Sequence, residues 1–250
     1  MKRANIMFFL AAALTVLTAC HRQEYYAESS PVELVMAVET MESVMPATEA
    51  TTVMTEVATA PGIPPAPDSD EAFVRILDYI PGAYQELRYA TENNFTGKQI
   101  YSFCEAYLRY GTVEKLMLVA EELEQQGLYL KIWDGFRPVS AQFTLWEICP
   151  DPTYVANPEK GYSSHSRGNT VDLTLVDKNG QELEMPTGFD DFSAKANRDY
   201  SDCTETAAAN ARLLEMTMEK YGFSGYYGEW WHFSDTQSYP VEEEFQPNAG

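Results

Sequence analysis

The chain has 250 residues, 45% hydrophobic and 13% aromatic, which is enough to bury one sizeable core with appendages. Thirty-eight acidic against 17 basic residues give a formal net charge of -21. This excludes nucleic acid as a natural partner, because its binding needs clustered Lys and Arg, and it disfavours adhesion to anionic lipid through protein charge.

In chain order, Lys2 and Arg3 precede an apolar run from about Ile6 to Leu17, followed by Leu17-Thr18-Ala19-Cys20. Residues 1–20 read as an export signal. The run is roughly a dozen residues, short of the roughly 20 that span a bilayer as a helix. Its ending resembles the bacterial lipobox, which predicts lipidation of Cys20 as the first residue of the mature protein. Acyl chains there would hold the protein at a membrane surface, each buried methylene contributing about 0.8 kcal/mol. An ordinary secreted protein with a chance cysteine is the alternative. Residues 21–70 carry acidic residues, Thr, Ala and the stretch PGIPPAP, with no Lys or Arg from Gln23 to Ala72, and predict a flexible acidic tether.

The remaining 71–250 hold the folded domain, its compact part expected from about Glu71 to Tyr239. Cys104, Cys149 and Cys203 are an odd number in a compartment where disulfides persist. Three pairings are possible; polar surroundings favour Cys149 with Cys203, while Cys104 in the aromatic run SFCEAYL is expected to be buried. No CxxC spacing supports a structural zinc knuckle.

Val113, Leu116, Ala120 and Leu123 recur at helical spacing, so a helix is predicted over Thr112–Gln126, closed by Gly127. Tyr129–Phe136 reads as a strand leading to Arg137, Pro138 and a helix-like segment. Asn169–Val176 reads as another strand, with Asn179-Gly180 as a type I′ turn into QELEM. Ala207, Ala211, Leu214, Met218 and Tyr221 form a second helical stripe, and a last strand is expected at Glu229–Phe233. Helices set apart from a mainly antiparallel sheet give an α+β fold in one domain.

Two of the chain's three histidines lie in SSHSRGNTVDLTL and GEWWHF. A hydrolytic zinc ion takes three protein ligands and keeps one position open. His165 and His232 supply two, and Asp172 is the natural third: its neighbours Val171 and Leu173 look buried, where a carboxylate is costly unless paired or metal-bound. Taken singly, His165 reads as a loop histidine and Asp172 as a strand-end charge. Glu229, three residues before His232, is a candidate proton acceptor. On a helix the two would share a face; on the strand that EWWHF suggests they would point oppositely unless a bulge intervenes. Arg137, just past a strand end, can stabilise developing negative charge in a cleft or simply pair with Asp134. Trp230 and Trp231 are expected in the core or the pocket wall.

Together these segments resemble the zinc D-alanyl-D-alanine dipeptidases of the VanX type, relatives of the D-Ala-D-Ala carboxypeptidases and the Hedgehog signalling fold. The likeness begins at LRYATENNFTG (Leu87–Gly97) and runs through LKIWDGFRP, SSHSRGNTVDLTL, MPTGFDDF and EWWHF in family order. It implies one catalytic zinc held by His165, Asp172 and His232, with Glu229 as general acid/base and Arg137 stabilising the tetrahedral transition state. It also implies that Ser163 and Asp190 hold the carboxylate and ammonium ends of a small peptide substrate, D-Ala-D-Ala. The export signal departs from the resistance dipeptidases of that type, which act in the cytosol. A zinc D,D-carboxypeptidase trimming peptidoglycan stems, or a catalytically silent wall-binding lipoprotein, are the alternatives.

Overall fold

The computed structural model describes residues 62–248. The export signal, Cys20 and nearly all of the acidic tether lie outside the described residues.

The elements in order are β1 (Phe73–Arg75), α1 (Ile76–Tyr79), β2 (Tyr84–Gln85), β3 (Tyr107–Arg109), α2 (Tyr110–Glu124), β4 (Tyr129–Asp134), α3 (Val139–Ile148), β5 (Thr170–Val176), α4 (Glu205–Lys220), β6 (Phe223–Tyr226) and β7 (Glu229–Asp235). β1 and β3 form a small antiparallel pair. The main sheet has the order β2-β4-β5-β7-β6, parallel only between β2 and β4. This is the α+β, mainly antiparallel architecture expected from the sequence.

Both predicted stripes face the core. Val113, Leu116, Ala120 and Leu123 of α2, and Ala207, Ala211, Leu214 and Met218 of α4, are all buried. Thr204 caps α4 by accepting from the Ala207 amide at 3.1 Å. β5, the middle strand, is buried at every position, the pattern of a strand covered on both faces. Trp133 meets Trp230 edge-on at 5.7 Å, and Trp231 meets Phe189 at 5.8 Å.

Four expectations are corrected. Asn179 has no positive φ, so the hairpin after β5 is not type I′. Only Gly180, at φ 76°, is left-handed, and the Gly180 amide donates to the Asp177 carbonyl, a type I turn followed by a glycine bulge. Asp177 stabilises it by accepting from the Asn179 and Gln181 amides, and QELEM contributes one bridge, Val176 to Glu182, rather than a strand. Cys149 and Cys203 are unpaired, as is Cys104. Cys104 is also exposed: Tyr101 and Phe103 turn inward and stack at 4.6 Å, and the alternation sends Ser102 and Cys104 outward. Finally, packing continues past Tyr239, where Phe245 stacks on Phe73 at 4.2 Å.

Candidate active site

β5 and β7 bring the first two donors together, because Asp172 lies directly opposite His232 in the antiparallel ladder and opposite residues share a face. His165 comes from the 3-10 turn Ser164–Arg167 that precedes β5. Ser163 caps this turn by accepting from the His165 amide at 3.3 Å, and Gly168, at φ 74°, redirects the chain into the strand. The His165 ring is oriented by its Nδ1, 2.8 Å from the Gly135 carbonyl. That bond requires the proton on Nδ1 and leaves the Nε2 lone pair facing the cleft.

His165 Nε2 is 3.3 Å from His232 Nδ1 and 3.3 Å from Asp172 Oδ2, and His232 Nδ1 is 3.0 Å from Asp172 Oδ1. A tetrahedral ion with ligands at about 2.0–2.1 Å separates its donors by about 3.3 Å. Buried Asp172 Oδ1 accepts no hydrogen bond of acceptable geometry, despite the nearby imidazole. Two imidazole nitrogens and a carboxylate aimed at one point, with an orphaned oxygen among them, are the donor set of a divalent cation. Among the described residues this is the one such group. Burial works against charge on Asp172, but the two histidines outweigh it and hold the carboxyl well below its usual range.

Glu229 reaches the same face through a bulge. β6 and β7 pair Gly225 with Phe233 and then Tyr226 with Glu229, so the stretch Trp230–His232 bows out of register. Glu229 Oε2 thereby comes within 3.5 Å of His232 Nδ1. Burial, helped by the Asp172 charge, raises the pKa of Glu229 against the pull of His232, His165 and Arg137.

Arg137 is paired with Asp134 and at the same time faces the cleft. Its Nη2 pairs with Asp134 at 2.7 Å, its Nη1 donates to Gln142 at 2.9 Å, and it also lines the cleft, over the Tyr89 ring. Asp134 is itself fixed by the Tyr101 hydroxyl and the Gly135 amide. Asp190 is half-buried, with φ 59°, and accepts from the Tyr89 hydroxyl at 3.1 Å. Burial, with the Asp172 and Glu229 charges adding to it, pushes its pKa up to about 8.

Arg137, Ser163, His165, Asp172, Asp190, Glu229 and His232 all line one cleft of about 300 Å³, the lower end of the size range for small-ligand sites. Sequence reasoning passed over Tyr89, Gln142 and Ser164, whose hydroxyl lies 3.5 Å from His232 Nε2. Tyr89 stood in LRYATENNFTG and Ser164 in the SSHS run, so both had a local signal. Phe192 of the cleft wall likewise stood in MPTGFDDF, whereas Tyr154 and Tyr226 had none.

Residues 69–248 match the sequence profile of the M15 peptidases described as D-ala-D-ala dipeptidase. The chain belongs to the D-Ala-D-Ala dipeptidase family. A D-alanyl-D-alanine dipeptidase of Escherichia coli is 40% identical over 158 residues, spanning 62% of this chain and 81% of that relative. Members from Enterococcus faecium and Streptomyces coelicolor are 32% and 34% identical over 197 and 204 residues, spanning 71% and 72% of this chain and 95% of each relative. Among solved structures, VanYB in complex with D-alanine-D-alanine matches at 16% identity and a TM-score of 0.36, covering 53% of this chain and 73% of that one.

Proposed function

We propose that this member of the dipeptidase family is a zinc enzyme that hydrolyses D-alanyl-D-alanine, with His165, Asp172 and His232 as ligands of one zinc ion. The observation that carries the reading is the set of 3.0–3.3 Å separations among these donors, with Glu229 beside them. When bound, zinc would polarise the scissile carbonyl and make water a nucleophile near neutral pH.

The remaining chemistry belongs to the chain. Glu229, its pKa raised by burial, is suited to take a proton from the attacking water and return it to the leaving amine. Arg137, held by Asp134 and Gln142, offers a fixed positive charge to the carbonyl oxygen as it becomes negative, at no cost in reorganisation. Asp190 is the partner for the substrate ammonium, and Ser163 for its carboxylate.

The test is hydrolysis of D-Ala-D-Ala, L-Ala-L-Ala and a stem pentapeptide by the zinc-loaded protein. D-Ala-D-Ala should be cleaved fastest, and Glu229→Ala should keep stoichiometric zinc while losing at least a hundredfold in kcat. Undiminished turnover in that variant would refute the role of Glu229, and a preference for the pentapeptide would favour stem trimming.

The proposal includes the location. The Leu17–Cys20 motif supports an enzyme acting outside the cytoplasm, lipid-anchored to the bacterial cell membrane through Cys20 and linked to peptidoglycan turnover there. No helix among the described residues is long and apolar enough to cross a membrane.

A further inference from the structure

The turn that delivers His165 belongs to no sheet or α-helix, yet the consecutive carbonyls of Ser166, Arg167 and Gly168 at its end are all bound by two distant residues, Arg109 and Glu242. The Ser166 carbonyl accepts from the Glu242 amide at 2.8 Å, Arg167 from Arg109 Nε at 3.1 Å, and Gly168 from the Arg109 amide at 2.8 Å. Arg167 returns the contact, its Nη1 donating to the Tyr239 carbonyl at 2.8 Å.

Arg109, at the end of β3, is only 5% exposed. A guanidinium is costly to bury unless its donors are satisfied, and here they are satisfied by distant segments. Its Nη1 donates to the Glu71 carbonyl at 2.7 Å, and its Nη2 to Glu242 at 3.2 Å and, weakly, to the Pro240 carbonyl at 3.5 Å. Its flat face covers Phe73 at 4.4 Å, and Phe245 stacks parallel to Phe73 at 4.2 Å. One side chain therefore ties the start of the domain, the His165 turn and the C-terminal segment into a single knot.

We propose that Arg109 is a positioning residue for the metal site, and that the C-terminal segment Tyr239–Phe245, latched to it through Glu242 and Phe245, is part of the support that sets metal affinity. Neither residue touches the ion or the substrate; they act by holding the backbone on which His165 stands. Coupling of this kind is reciprocal, so whatever factor the docked segment adds to metal affinity, a bound ion returns as docking of the segment.

The proposal rests on His165 being a metal ligand, and the experiment separates the two claims. Zinc dissociation constants are measured by competition with a chelator for the full chain, Arg109→Lys, Glu242→Gln and His165→Ala, with near-UV circular dichroism confirming packing. Lys keeps the charge but cannot bridge three segments. Arg109→Lys should weaken zinc about ten- to hundredfold, the usual cost of losing an outer support, and Glu242→Gln should weaken it less. Bound zinc should also slow proteolysis after Tyr239 in the wild type and do so less in Arg109→Lys. Wild-type affinity in both folded variants overturns the positioning role while leaving the metal site intact. If wild type and His165→Ala bind zinc equally, the metal assignment itself fails and the proposal with it. Should Arg109→Lys lose its near-UV signal, Glu242→Gln decides alone, and unchanged affinity there overturns the role.

Discussion

Asp190 combines three conditions that an ordinary aspartate avoids: a left-handed backbone at φ 59°, partial burial, and two other carboxylates acting on it. Its pKa of about 8 leaves it protonated at neutral pH in the metal-free site, with Tyr89 holding it in place. An arriving ammonium would displace that proton. The sign of the stability effect follows from the raised value. The native state keeps a proton that the unfolded state has lost above its ordinary carboxylate pKa of about 3.9. Asp190 therefore makes the metal-free fold lose stability as pH climbs from there towards about 8. Asp190→Asn removes the titration. Thermal melts of the metal-free proteins should show a flatter pH dependence for the variant between pH 5 and 8 and a higher melting temperature than wild type at pH 8. The same variant should raise the KM for D-Ala-D-Ala at least tenfold, because a neutral amide cannot balance the ammonium. That His165, Asp172 and His232 form one donor group was legible in residue type and spacing, because a buried carboxylate between apolar neighbours needs a partner. Asp190 could not: its significance lies in burial and in charges from other strands, and only family likeness pointed to it.

Among the elements, the turn before β5 and the bulge in β7 decide the geometry. Gly168 is the hinge of the first. A Cβ there would sit 2.4 Å from Phe73 Cε1 on a backbone at φ 74°. A left-handed alanine costs about 1–2 kcal/mol, and displacing a packed ring adds about 1–3 kcal/mol. Urea unfolding of Gly168→Ala should therefore show a loss of about 2–5 kcal/mol, and a loss below about 1 kcal/mol would mean that the turn tolerates a different path. The long elements α2, α4, β4 and β5 were legible because their apolar residues keep a regular period. β1, β2, β3 and β6 have only two to four residues each, too few to show one. The bulge was legible only as a question, whether Glu229 and His232 could face the same way. Its answer lies in pairing with β6, and no residue of EWWHF carries that information.

At the scale of the whole molecule, family order along the chain foretold the fold class and the convergence of distant segments. Cysteine pairing was not foretold, since polar surroundings say nothing about distance and Cys149 and Cys203 remain apart. The proposed location rests on residues 1–20 alone. If Cys20 carries the anchor, cells fed labelled palmitate should yield a labelled, membrane-fraction protein, and Cys20→Ser should be unlabelled and released while retaining full dipeptidase activity. Label persisting in the variant would remove the anchor from the proposal.

Asp172 and His232 face each other across a single rung of the β5–β7 ladder, so two of the three donors are placed by strand pairing itself. A slip of one residue would turn one donor to the opposite side of the sheet, so the register must be right before capture can occur. Whatever fixes the β5–β7 register therefore also fixes the donor pair, so a substitution that loosens that pairing should reach the site without touching any of its side chains.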